Sequence, residues 1–210
     1  MAGGPPLTPR APRPWVTLAL TAAALAIFFL PATAPALVFR RTAIGQGQLW
    51  RLWTGHWVHY SAGHLLWDLL VFAAAGLWLE RIAPRAARWF LLLAPPFISG
   101  LLLLGDPRLY LYAGLSGVAS GLVVLLSMIQ LRRDTRSPAW FWPAVLLVVM
   151  AKLVLESLRS TALFVPLDAG VRPVPLAHLG GVAAALAVFT ARRWWGWWHR
   201  RRSRPSAARV

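Results

Sequence analysis

The residues of this chain that can do chemistry are few. Ser116 lies in Tyr112-Ala-Gly-Leu-Ser-Gly-Val-Ala-Ser-Gly121, among glycines and alanines at the head of a long uncharged apolar run. A serine alcohol is a weak nucleophile unless a base stands within hydrogen-bond reach and donors await the oxyanion. Histidines can supply the base: His178 in Ala177-His-Leu-Gly-Gly181, and His56, His59 and His64 upstream, with Asp68 four residues after His64. Cysteine is absent, which removes thiolate nucleophiles, disulfides and cysteine zinc sites. The chemistry is left to serine, histidine and carboxylates.

These residues are embedded in a chain that is 58% hydrophobic and 13% charged, with 13 tryptophans, which is not the balance of a soluble domain. A polytopic, all-α membrane protein is expected. The net charge of +16 would suggest nucleic acid in a soluble protein. Here the arginines sit between apolar runs, so they are assigned to topology and no nucleic acid is expected.

In order, residues 1–14 read as a disordered cytoplasmic tail. Apolar runs at 15–30, 57–79, 89–104, 110–131, 139–158 and 174–191 predict six spans, the first uncleaved. Residues 40–55 interleave Gln46, Gln48, Trp50, Arg51 and Trp53 and predict an interfacial or re-entrant loop. Pro95 and Pro96 predict a kink in the third span. Residues 15–192 form the expected six-span domain, and 193–210 a basic Trp/Arg tail that anchors on an anionic leaflet. Arg10, Arg13, Arg81, Arg85, Arg88, Arg132, Arg133, Arg136 and the seven arginines after Ala191 outnumber Arg40, Arg41, Arg51, Arg108, Arg159 and Arg172 on the other side. The positive-inside rule then places both termini in the cytoplasm.

Under that topology the second, fourth and sixth spans enter from the outer side and carry His64, Ser116 and His178 at one depth, roughly 6–10 Å below the surface at 1.5 Å per residue. Polar groups there cost free energy and call for a reason. Small residues at 114, 117, 121, 180 and 181 allow close helix approach. The expected chemistry is acyl transfer, with His178 as general base for Ser116 and the Ser116 N–H and the His64 side chain as oxyanion donors, in a cavity open to the outer face.

Gly114-Leu-Ser116-Gly117, His178 in Ala-His-x-x-Gly, His59-x4-His64-x3-Asp68 and Trp50-Arg51 together resemble the signatures of the rhomboid family of intramembrane serine proteases. The resemblance implies a six-transmembrane-helix rhomboid-like bundle and a Ser116–His178 dyad, with His64 in the oxyanion hole and no cofactor. It also implies cleavage of single-span or C-terminally anchored membrane proteins near the outer face, in a bacterial inner membrane with the site toward the periplasm. The compact form and the Lys152/Glu156 turn are most similar to the rhombosortase branch, associated with removing C-terminal glycine-glycine sorting tails. The chain departs from the family pattern at Asp68, where Asn is usual, and at Ser120, where an aromatic is usual. An ionised Asp68 would repel an oxyanion, so either it is protonated or it points elsewhere. Gly114 and Gly117 are read as accessory to the hole.

Plainer readings stand beside these. Ser120 is a packing or channel residue, His56 and His59 interfacial or substrate-channel residues, and His199 solvated. Lys152 and Glu156 form an ion pair that lowers the cost of burying each. A metal or haem protein ligated by His56, His59, His64 and His178 is a different class, disfavoured because no HExxH is present. An inactive rhomboid-like module that binds membrane proteins is the third.

Overall fold

The computed structural model describes residues 12–159 and 173–202. The expectations for residues 1–11, for the segment holding Pro166, Asp168 and Arg172, and for residues 203–210 lie outside these. The elements in chain order are α1 (Trp15–Phe29), α2 (Ala34–Leu37), β1 (Phe39–Arg40), α3 (Arg41–Gly45), α4 (Arg51–Thr54), α5 (Ala62–Ile82), α6 (Pro84–Gly105), β2 (Leu111–Tyr112), α7 (Ser116–Gln130), α8 (Phe141–Arg159) and α9 (Pro175–Arg202). Phe72, Leu79, Phe90, Ile98, Leu102, Leu115, Leu122 and Leu125 are fully buried in the core shared by α5, α6, α7 and α9. Leu66, Leu70, Leu92, Leu104 and Leu147 point outward and exposed, as suits a surface covered by acyl chains.

Among the described residues four helices are long and apolar enough to cross a membrane: Ala62–Ile82, Pro84–Gly105, Phe141–Leu158 and Pro175–Trp195. The first expected span, 15–30, is α1, and the chain bends by 96° at its end, between Trp15–Phe29 and Pro31–Leu37. Pro31 biases Leu30 out of the helical region, and Leu30 sits at φ −115, ψ 64. The fourth expected span differs most. Its helix has only 15 residues and begins at Ser116, because Leu111–Tyr112 pairs antiparallel with Phe39–Arg40 and Gly114 takes φ +117. At 1.5 Å per residue α7 is roughly 22 Å long, short of a hydrocarbon core of about 30 Å. Extended backbone at this level is tolerated because protein surrounds it.

The loop between α2 and α5 is an ordered scaffold. Arg51, expected at an interface, is buried and donates to the carbonyls of Pro35 (3.0 Å) and Val38 (2.7 Å) and to Gln48 Oε1 (2.7 Å). Arg41 donates to the carbonyls of Leu102, Leu103, Asp106 and Leu109, placing a cation on the negative end of α6. α6 runs through Pro95 and Pro96 without a break. Pro96 has no N–H for the Leu92 carbonyl, and Trp53 Nε1 donates to that oxygen instead at 2.9 Å.

At the opposite end of the bundle α1 has no side-chain N-cap of its own. Glu80, fully buried at the end of α5, accepts from the amides of Val16 (3.4 Å) and Thr17 (3.0 Å) and from Thr17 Oγ1 (3.0 Å). A carboxylate at a helix N-terminus satisfies orphan donors and meets the positive end of the macrodipole. Arg88 Nε stands 3.4 Å from its other oxygen. Glu80→Ala should destabilise by roughly 2–4 kcal/mol, since it strands buried donors. Thermal unfolding in detergent, with Arg81→Ala as an exposed control, checks this; equal midpoints would contradict it.

Candidate active site

Ser116 is the first residue of α7, and the turn before it is fixed from several sides. Gly114 at φ +117 occupies a region that favours glycine, and a Cβ there would lie 2.7 Å from the His64 ring. The Tyr112 hydroxyl donates to the Gly114 carbonyl at 3.0 Å. The Leu115 amide donates to Asp68 Oδ2 at 2.7 Å. Ser116 is thereby presented at a helix N-terminus, where the first-turn amides lack intrahelical partners and the dipole favours negative charge.

Helix α9 brings His178, its fourth residue, against this point, and Nε2 lies 2.9 Å from Ser116 Oγ. Such an approach needs the two backbones nearly in contact. A Cβ on Gly117 would meet the Ala177 carbonyl at 2.7 Å, and one on Gly181 would collide with the Gly117 carbonyl. Gly117 therefore acts as a spacer between helices. His178 is buried and Ser116 only half-buried, so the hydroxyl remains reachable. Ser120 lies one turn further along α7 and takes no part in this hydrogen bond.

Asp68 Oδ2 is a hub. Besides the Leu115 amide it faces His59 Nε2 at 3.1 Å and His64 Nε2 at 3.2 Å. Through the Leu115 amide Asp68 clamps the turn before Ser116. His64, the third residue of α5, has its backbone N–H capped by Ser61 Oγ at 3.3 Å, and its Nε2 is engaged with Asp68 in this arrangement. His59, expected inside the second span, precedes α5, because Ser61 caps the helix and starts it at Ala62. It is buried on Asp68. His56 is also buried, with Nε2 at 2.9 Å from the Pro95 carbonyl and 3.1 Å from Ser99 Oγ, so it ties the scaffold loop to α6.

The four histidines of the metal or haem reading are thus divided. His56 binds α6, His178 binds Ser116, and only His59 and His64 meet, with Asp68. The ligand atoms of these three lie within 4.8 Å of one another, but the shared oxygen already accepts the Leu115 amide. That is the arrangement of a hydrogen-bond hub.

One residue near the site carries a role that its spacing alone did not disclose. Glu156 on α8 is buried, and its Oε2 lies 2.7 Å from Lys152 Nζ and 3.2 Å from His178 Nδ1. The ion pair expected from the i, i+4 spacing is present, yet its carboxylate also faces the histidine. The signal was available: Glu156 is as near the Arg159 end of α8 as His178 is to the start of α9.

The fold and this site define a multi-pass membrane protein that holds a serine and a histidine in hydrogen-bond contact at a helix N-terminus. A family model described as the rhomboid domain matches residues 46–194, and the chain belongs to the rhomboid family, a family of intramembrane serine proteases that also has inactive members. A search of curated proteins gives no match.

Asp68→Asn keeps an oxygen for the Leu115 amide, whereas Asp68→Leu leaves that buried donor only its 3.4 Å contact with His59 Nε2, at a cost of about 1–3 kcal/mol. Hydrogen exchange at Leu115 should stay slow in the Asn variant and speed up about 5- to 100-fold in the Leu variant. Equal exchange in both would show that Asp68 does not hold the turn.

Proposed function

We propose that this chain is an intramembrane serine endopeptidase in which Ser116 is the nucleophile and His178 the general base. The observation that carries the reading is the 2.9 Å contact between Ser116 Oγ and His178 Nε2 at the N-terminus of α7. In the proposed reaction Ser116 Oγ attacks a peptide carbonyl, its proton passes to Nε2, and the carbonyl π-electrons move to oxygen. The Ser116 N–H, with the positive end of α7 behind it, receives the oxyanion. His64 supplies a further donor when its ring turns from Asp68. Collapse breaks the C–N bond, the Nε2 proton goes to the leaving amine, and water then releases the acyl group by the reverse steps.

The proposed setting is a bacterial inner membrane crossed six times, with both termini cytoplasmic and the site toward the periplasm. α7 serves as the short fourth crossing, residues 15–192 form the catalytic domain, and 1–14 and 193–210 are tails. The proposed substrates are single-span or C-terminally anchored proteins, and the rhombosortase resemblance points to removal of glycine-glycine sorting tails. Asp68 is the feature that keeps the inactive alternative open; in the proposed reading it braces the turn before Ser116 and does not receive the oxyanion.

Co-expression in a bacterial membrane with two anchored reporters tests this reading, one bearing Gly-Gly, an apolar span and a basic tail, the other with Gly-Gly replaced. Wild type should cut the Gly-Gly reporter and Ser116→Ala should not. Cleavage of both reporters would keep the protease and discard tail specificity. Cleavage of neither by a folded wild type, or cleavage surviving in Ser116→Ala, would overturn the reading.

A further inference from the structure

Among the described residues three carboxylates are buried, and two of them accept from backbone amides: Glu80 from α1 and Asp68 from Leu115. Glu156 is different. Its side chain is 3% exposed and that of Lys152 is 25% exposed, so the cation reaches outward while the carboxylate is turned in against α9. An ion pair needed only to neutralise two charges would cost less with both members facing the headgroups. The group that Glu156 faces on α9 is His178 Nδ1, 3.2 Å away, which is buried and makes no hydrogen bond among the described residues.

The proton count on the ring explains why this contact matters. For His178 Nε2 to accept the Ser116 proton, the neutral imidazole must carry its own proton on Nδ1. A buried Nδ1–H in an apolar setting favours the other tautomer unless an acceptor meets it, and Glu156 Oε2 at 3.2 Å is that acceptor. The N–H is not aligned on the oxygen at this distance, and its alignment as the serine proton moves is part of the proposal. Once Nε2 takes the serine proton, the ring is a cation beside a carboxylate, and the charge that forms in the transition state is stabilised. Lys152 donates to the same oxygen at 2.7 Å and holds the carboxylate in place.

We propose that Glu156, held by Lys152, is a positioning residue that fixes the tautomer of His178 and stabilises its imidazolium, completing a Ser116–His178–Glu156 relay carried by α7, α9 and α8. The relay rests on the reading of Ser116 as nucleophile and His178 as base.

The test uses the full chain in detergent and a fluorophosphonate probe. Ser116 Oγ forms a bond to phosphorus, the P–F bond breaks and releases fluoride, and the serine proton passes to Nε2. The maximal inactivation rate kinact and the half-saturating probe concentration KI are measured separately, with the thermal midpoint of each variant. Glu156→Gln should lower kinact about 10²- to 10⁴-fold, the range seen when the third member of such a relay is lost. KI should stay within about twofold, because probe binding is untouched. Glu156→Asp should recover at least about tenfold over the Gln variant, which a packing role would not produce. If Glu156→Gln does not fold because it leaves Lys152 unpaired, the double variant Lys152→Met/Glu156→Gln removes both charges together and should show the same loss in kinact.

A folded Glu156→Gln or double variant that reacts at the wild-type kinact, while Ser116→Ala is inert, would overturn the relay and leave the Ser116–His178 reading intact. Probe incorporation that persists in Ser116→Ala, or is absent from folded wild type, would overturn that reading and the relay with it.

Discussion

The site depends on one steric constraint: α7 and α9 meet with almost nothing between their backbones. Gly117, Gly121 and Gly181 leave no room for a single added carbon at the crossing. In lipid no hydrophobic force pushes helices together, so such contact comes from packing of small residues and from polar groups satisfied across it. The hydrogen bond from Ser116 to His178 lies one turn from this contact, and at 2.9 Å it tolerates little slack. A larger residue at the crossing would separate the pair well before it unfolded the bundle.

Around this contact the protein invests its buried polar groups in backbone geometry. Asp68 clamps the Leu115 amide, Tyr112 the Gly114 carbonyl, and the short pairing of Phe39–Arg40 with Leu111–Tyr112 sets the direction from which the chain enters α7. Arg41 and Arg51 saturate carbonyls that have no water to turn to, and Trp53 replaces the donor that Pro96 lacks. The scaffold loop is thus a brace for the nucleophile's turn. Arg41 is matched by four backbone carbonyls and Arg51 by two, which is how buried charge in a polar segment is accommodated.

Much of this was legible from the expense of the residues. A histidine or serine in an apolar run invites the question of what it meets, and Ser116 and His178 meet each other. The apolar runs located α5, α6 and α8 to within about five residues and the start of α9 to within one, because span length is set by the bilayer, whereas α9 continues to Arg202 through residues read as a tail. Local backbone geometry was not legible. Apolar residues at 110–115 look the same in a helix and in an extended turn, so the fourth run was expected to be helical throughout. Only the positive φ at Gly114 and the pairing of β1 with β2 make Ser116 a helix-initiating residue. His59 was placed in a helix for the same reason, and Glu156 was read only against its neighbour on α8, since hydropathy does not say which helices touch. The pairing of Asp68 with an amide depends on side-chain direction, which no spacing rule supplies.

The most direct measurement is the location of a fluorophosphonate adduct by peptide mapping and fragment-ion mass spectrometry, in wild type and in His178→Ala, both shown to be folded. An adduct on Ser116 that disappears without His178 is the expected result, because the hydroxyl is activated only through that hydrogen bond. An adduct on Ser120, or one on Ser116 that forms as fast in His178→Ala, would contradict the assignment of this serine and histidine as one catalytic pair.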